Sequence, residues 1–465
     1  MRFPGILPSG IDRGVSDGAA TSPPLTLLKR AARQFRPGLV QDAAGTVVLN
    51  TTAVALGFLV ALVLSRRLGA AGYGAYSFAF AWASVLSVPA LLGLTQVMVR
   101  NVATYAAQTR WGELRGILIR SNQVVLAVSV LLAATAAVLG LLLLDAESPL
   151  RHPFLIGLTL VPLLALATIR LSTLQGLGHV ILGRLPETVV APAAFVALIL
   201  VAAQVLGPGF SPAWAIGLQA IATLLAFALG VHLLRRRLPA QAASTSPLFE
   251  THSWARSAAP LLLFSGLSVL NLQVGTIALG ATTDAAEVGI YGVAGRIAVF
   301  TGFFAMAALY ALMPVVARLH AVGDAAKLRV LVPRSARIVL LASSPAALAL
   351  LAVPGLFLGL FGGDFAEGET ILRILVAGEV VRLILGNGSM ILAMTGLEDQ
   401  LLKGSAAGVA ANILLLVALV PGLGAEGAAI ALAGGGLVAN TVFAYLAWTR
   451  AGLYVPAIPF RQRQG

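Results

Sequence analysis

The sequence predicts an all-α polytopic membrane protein with about twelve transmembrane helices. Three observations carry that reading. The 465 residues are 58% hydrophobic and only 11% charged, against about 25% charged in a typical soluble domain. Long stretches hold no charge at all, 47–64 and 74–99 among them, and each reaches the length of about 18 residues that a spanning helix needs. The stretches are continuously apolar rather than alternating, which favours helices over barrel strands. In hydrocarbon only these two structures satisfy every backbone group.

The spans are predicted over 44–65, 75–99, 120–144, 153–174, 186–206, 212–234, 257–280, 289–314, 335–360, 370–394, 402–421 and 425–449. The fourth and fifth are the least regular, because Pro162, Pro186 and Pro192 interrupt them. Residues 1–40 are polar, with Pro23-Pro24 and Pro37-Gly38 breaks and a short amphipathic stretch from Leu25 to Phe35. That segment lacks the cleavage pattern of a secretory signal. Its cluster Lys29, Arg30, Arg33 and Arg36 predicts a cytoplasmic N-terminus. Residues 235–256 read as a cytoplasmic linker between lobes at 41–234 and 257–450, and 451–465 as a cytoplasmic tail.

Charge checks the count. With the N-terminus inside, Arg100, Arg110, Arg115, Arg120, Arg184, Arg235, Arg236, Arg237, Arg256, Arg318, Lys327, Arg329, Arg334 and Arg337 fall in cytoplasmic loops. Asp145, Glu147, Asp284, Glu287, Asp364, Glu367, Glu369 and Glu426 fall outside, with Arg66, Arg67 and Arg151. One span more or fewer would scramble that segregation. The net charge of +13 is therefore a topology signal, not a nucleic-acid footprint.

The composition also excludes chemistry. No cysteine is present, so disulfides, thiol nucleophiles and thiolate metal sites are ruled out. The five histidines, at 152, 179, 232, 252 and 320, form no ligand spacing. There is no phosphate-binding Walker loop, no Gly-x-Ser-x-Gly elbow, and no outer loop large enough for an active site. The chain reads as a transporter without metal or cofactor, not as an enzyme.

An internal repeat adds architecture. Tyr73-Gly74 recurs as Tyr291-Gly292, each after a Leu-Gly pair, Leu68-Gly69 and Leu279-Gly280. Arg100 and Arg318 follow at equal distance, and Leu114-Arg115 through Arg120-Ser121 is echoed by Leu328-Arg329 through Arg334-Ser335. An even number of helices per half makes the repeats parallel, so two six-helix lobes flank a central cleft. That is transporter architecture.

Several segments resemble a known family. They are Ala61-Leu-Val-Leu-Ser-Arg-Arg-Leu-Gly-Ala-Ala-Gly-Tyr-Gly-Ala-Tyr-Ser-Phe78, Ala286-Glu-Val-Gly-Ile-Tyr-Gly-Val-Ala294, Leu360-Phe-Gly-Gly-Asp-Phe365 and Gly424-Ala-Glu-Gly-Ala-Ala429. Their order over residues 40–450 resembles the polysaccharide-transport (Wzx-type O-antigen flippase) family of the multidrug/oligosaccharidyl-lipid/polysaccharide flippase superfamily. The resemblance implies the two-lobed flippase fold. It also implies movement of an undecaprenyl-pyrophosphate-linked oligosaccharide to the outer leaflet, alongside glycosyltransferases and a polysaccharide polymerase as working partners. Residues 1–40 lie outside the pattern.

Such a substrate needs a wet, cationic cleft, because lipid solvates neither pyrophosphate nor sugar, and arginine binds phosphate oxygens bidentately. An arginine inside a span faces a cavity or a partner, or snorkels to the headgroups. Arg296, about two turns into the eighth span, is the leading candidate, and its repeat counterpart is Phe78. Arg382 lies three residues from Glu379, so the two share a helix face and can neutralise each other. Glu379 is the one acid placed inside a span, a candidate for coupling to a proton or sodium gradient. Arg373, nearer the outer end, is expected to snorkel. Asn50, Asn271 and Gln273 lie on equivalent helices and are expected to face each other across the cleft, offering amides to sugar hydroxyls; helix–helix hydrogen bonding is the alternative use. Arg100 and Arg318 are candidate phosphate contacts at the cytoplasmic mouth, or topology determinants. Two other functions compete. A drug exporter of the same superfamily wants intramembrane acids, and a membrane polymerase or ligase wants a long basic outer loop. The sequence offers neither.

Overall fold

A computed structural model describes residues 37–458. The amphipathic 25–35 stretch, the basic cluster and the last seven residues lie outside the described residues. From Gly45 onward the chain is one compact unit, and its regular structure is helical throughout. The helices are α1 (Pro37–Ala90), α2 (Leu94–Ala107), α3 (Trp111–Leu143), α4 (Arg151–Gly157), α5 (Leu160–Gly176), α6 (Val180–Leu185), α7 (Ala191–Leu206), α8 (Pro212–Arg237) and α9 (Ala240–Ser244). They continue as α10 (Thr251–Thr282), α11 (Ala285–Ala298), α12 (Phe303–Ala321), α13 (Ala325–Ala352), α14 (Pro354–Gly359), α15 (Glu369–Leu385), α16 (Gly388–Met394) and α17 (Glu398–Ala451).

Among the described residues seven helices are long and apolar enough to cross a membrane, or eight if the bent pair at 363–394 is one span. The expectation of twelve divides the same helical chain more finely. Helices α1 and α17 have 54 residues each, about 80 Å if straight, whereas the hydrocarbon core is about 30 Å thick. Each breaks at a glycine in the left-handed region, Gly69 at φ 67° and Gly424 at φ 52°, a conformation other residues rarely adopt. The predicted pairs 44–65/75–99 and 402–421/425–449 fall on either side of those breaks. The irregular fourth and fifth spans are interrupted in fact. The fourth divides into α4 and α5 at Leu158-Thr159, and the fifth starts with a π-helical turn at Pro186–Val190. Pro162 and Pro192 sit in the first turns of α5 and α7, where a missing N–H costs nothing.

The repeated Tyr-Gly motif marks where the two halves meet. A Cβ on Gly74 would overlap the carbonyl oxygen of Ala285, and one on Gly289 would overlap that of Ala70. Helices α1 and α11 therefore cross backbone against backbone. The two copies of the motif touch as well, since Gly292 leaves room for the ring of Tyr73, 3.3 Å from where its Cβ would lie. Beside this crossing Arg66 Nε donates to the Leu360 carbonyl at 2.7 Å, and Tyr73 packs edge-on against Phe365.

The linker and the described part of the tail both pack against helices. The linker runs along the start of α3. Leu248 N–H donates to Gly112 O at 2.9 Å, in a groove left open by Gly112 and Gly116. Arg115 donates to Thr245 O at 2.8 Å, and Glu250 accepts from Tyr105 at 3.0 Å and Arg110 at 3.1 Å. The described part of the tail also folds back. Leu453, Val455 and Ala457 are buried, and Ala457 bonds Ile384 O at 2.8 Å while accepting from Arg337 at the same distance. Alternating apolar residues explain why the tail packs rather than trailing in water. At the start of α13, Asp324 caps the helix and accepts from Lys327 Nζ at 2.6 Å. The hydrogen bonds from Lys327 hold its carboxyl below the usual range.

The crossing of α1 and α11 makes a sharp prediction. Gly74→Ala and Gly289→Ala each force the helices apart and lower stability by about 1–3 kcal/mol, seen as a fall in the thermal midpoint of the detergent-solubilised protein. Gly359→Ala, at a glycine with open space around it, leaves the midpoint unchanged.

Candidate functional site

A cavity of about 1040 Å³ lies among α1, α10, α11, α15 and α17. The first half of the chain contributes Tyr73, Tyr76, Ser77 and Phe80, and the second half supplies every charge and amide on the wall. A second cavity of about 240 Å³, mostly apolar, lies between α1 and the α11–α12 region, bordered by Asn50, Phe58, Phe300 and Met306. Arg296 lines both.

The position of Arg296 follows from local structure. It sits in the last turn of α11, where a cation is favoured by the helix dipole. The chain then tightens into a 3-10 turn at Val299–Gly302. Gly57 on α1 faces it, and a Cβ there would lie 3.9 Å from Arg296 Nη1, in ordinary contact. The side chain is exposed to the cavities, and among the described residues it has no ion-pair partner.

The other lining charges are paired. Arg382 Nε donates to Glu379 Oε2 at 2.8 Å, and Arg382 Nη2 donates to Glu379 Oε1. This is the same-face pairing the i,i+3 spacing allows, in the bidentate form that arginine favours. Glu379 rests on Gly302, where a Cβ would overlap Oε1.

The amides divide. Gln273 faces the large cavity and has no hydrogen-bond partner among the described residues. Asn271 also lines it, but its Oδ1 accepts from Asn412 Nδ2 at 3.0 Å, so α10 and α17 use it as a helix–helix contact. Asn50 does not face Asn271 across one cleft as expected. It lines the small cavity and accepts from Arg184 at 3.5 Å, because the two amides stand on opposite sides of Arg296.

Other expectations change. Arg100 and Arg318 are exposed and line neither cavity, since both project from helix surfaces away from the α10–α11–α15 interior. Arg373 does not simply snorkel. It pairs with Glu369 at 3.0 Å and donates to Leu351 O at 3.4 Å. Nor is Glu379 the one acid within the spans. Glu187, on the π-helical turn, pairs with the buried Arg170 of α5. Gly230 of α8 gives the guanidinium its space, because a Cβ there would overlap it. The sequence did contain a signal, an arginine in the fourth span and an acid at the start of the fifth. Asn387 and Asn440 line the large cavity too. Asn387 follows the left-handed Gly386 that separates α15 from α16, a break that a hydropathy reading merges into one span.

The helical fold is shared with solved membrane transporters and flippases. The structure resembles an inward-facing multidrug resistance MATE family transporter of the multidrug/oligosaccharidyl-lipid/polysaccharide (MOP) superfamily, with a TM-score of 0.67 at 16% identity over 86% of this chain and 94% of that one. It also resembles the lipid II flippase MurJ in an inward closed conformation, with a TM-score of 0.68 at 14% identity over 86% and 87%. A MOP superfamily transporter from Pyrococcus furiosus, described as having a binding pocket of reverse polarity, aligns with a TM-score of 0.61 at 15% identity over 89% and 95%. No curated protein matches the sequence. The sequence profile described as polysaccharide biosynthesis protein matches residues 39–320, more than half of the chain, and the MatE profile matches 260–418. The chain belongs to the polysaccharide biosynthesis protein family.

The buried pair yields a prediction about stability rather than transport. Glu187→Gln leaves Arg170 an uncompensated buried cation and costs about 3–5 kcal/mol, measured as loss of folded protein on heating in detergent. An unchanged midpoint would mean that water reaches Arg170.

Proposed function

We propose that this protein carries a polyprenyl-pyrophosphate-linked oligosaccharide from the cytoplasmic to the outer leaflet by alternating access between two six-helix lobes. The observation that carries this reading is Arg296, an unpaired cation at the junction of a large, amide-lined cavity and a small apolar one. A lipid-linked glycan has the same three parts in the same order. The sugars occupy the large cavity, the pyrophosphate meets the guanidinium, and the first isoprene units lie against Phe58, Phe300 and Met306. The family and the superfamily fold support this substrate class. The basic loops support an orientation with both termini in the cytoplasm. The gradient of a proton or sodium ion is the proposed energy source.

Multidrug transport, the activity named for several structural neighbours, suits the site less well where the drug is a cation. That chemistry wants a free carboxylate. The one carboxylate on the cavity wall is held by Arg382.

Arg296→Ala tests the proposal in the native host. Lipid-linked oligosaccharide should accumulate on the cytoplasmic leaflet and surface polysaccharide should fall at least about tenfold, a loss of about 1.4 kcal/mol in substrate stabilisation, with protein abundance unchanged. Arg296→Lys should recover part of the loss, because a point charge replaces a bidentate one. Normal polysaccharide in the alanine variant would remove Arg296 from the site.

A further inference from the structure

The large cavity holds three charged side chains, Arg296, Arg382 and Glu379, for a net charge of +1. Among the described residues only Arg296 of the three has no ion-pair partner. Glu379 grips Arg382 through both carboxylate oxygens, and its own position is fixed by Gly302 behind it. About a quarter of the Glu379 side chain remains exposed, 23% against 31% for Arg382, so the pair forms part of the wall that a bound glycan meets. The remaining polar wall is neutral. It consists of amides and hydroxyls, with Gln273, Asn387 and Ser77 among them.

From this arrangement we infer that Glu379 is a specificity-determining residue that restricts the cargo to glycans whose sugars carry no acidic group. This rests on the proposal that the chain carries a lipid-linked oligosaccharide. The pyrophosphate alone outweighs the single free cation. A uronic acid or other anionic sugar would bring a further negative charge into a cleft with low-dielectric walls that already holds the pyrophosphate, and that charge is favoured there only beside a cation of its own. Among the described residues Arg382 is the one other cation on the wall, and Glu379 takes its Nε and one Nη2 donor and neutralises its charge. Glu379 also presents its own negative charge to the same space. One residue thus withholds the attractive partner and adds a repulsive one, the two-sided means by which a site rejects a competitor. Neutral sugars, N-acetylated ones especially, meet no such penalty, and their amides and hydroxyls match the uncharged wall.

The inference assigns Glu379 a role through Arg382, as a positioning residue. Its signature is a change in selectivity rather than in overall rate. The test uses the full chain purified into liposomes with two probes, polyprenyl-pyrophosphate trisaccharides that differ only in a terminal N-acetylglucosamine or glucuronic acid. Wild-type protein should move the neutral probe about tenfold faster or more. Glu379→Gln frees Arg382 and should raise the acidic-to-neutral ratio by about tenfold, whatever its absolute rates, and Glu379→Asp should restore the wild-type ratio. Equal transport of both probes by the wild-type protein would overturn the inference without touching the flippase reading, and this comparison needs no variant to fold. A Glu379→Gln protein that slows both probes in parallel, at an unchanged ratio, would also overturn it. Movement of neither probe by any protein would overturn the flippase reading and this inference with it.

Discussion

Hydrocarbon does not solvate charge, and the interior of this protein is organised around that constraint. A charged side chain within the spans must find a partner, reach the headgroups or face a wet cavity. Arg170 finds Glu187, Arg373 finds Glu369 and Arg382 finds Glu379. Each of the three arginines pairs with an acid within reach of its own helix or the neighbouring one. Arg296 is left facing open space on two sides. A cation without a partner is expensive in lipid, so its persistence at a cavity junction is the strongest physical argument for an anionic ligand.

Packing of the two halves creates that junction. Helices α1 and α11 approach so closely at Gly74 and Gly289 that backbone meets backbone. Further along, Gly57 of α1 and Arg296 of α11 border the same small cavity. The docked linker adds a second tie between the halves, because Trp254 at the start of α10 donates to Tyr105 of α2 at 3.0 Å.

Much of the fold was legible in the sequence because hydropathy, helix length and charge segregation are local quantities. The Tyr-Gly repeat was legible as well, though its meaning was not. Only the folded chain shows that Gly74 meets Ala285 and that Tyr73 lies over Gly292. The site was legible in part. Arg296, Arg382, Glu379, Asn271 and Gln273 line one cavity because polar residues inside apolar runs have few other places to go. Asn50 went to the adjoining cavity, and Arg100 and Arg318 to neither. Two features were missed, although an arginine in the fourth span and an acid opening the fifth pointed to the first. The Arg170–Glu187 pair joins separate helices through a π-helical turn that no hydropathy window resolves. Asn387 depends on a left-handed glycine that splits a predicted span. Long-range contact and backbone irregularity are what a linear reading loses.

The proposed flipping of a pyrophosphate-linked glycan can be read with the purified chain alone. The most direct measurement uses purified protein in liposomes with a fluorescent polyprenyl-pyrophosphate oligosaccharide, read by a membrane-impermeant glycosidase that trims only sugars exposed on the outer leaflet. With the probe loaded in the inner leaflet, liposomes containing the protein should expose it far faster than empty ones. Equal exposure in empty and protein-containing liposomes would contradict the account.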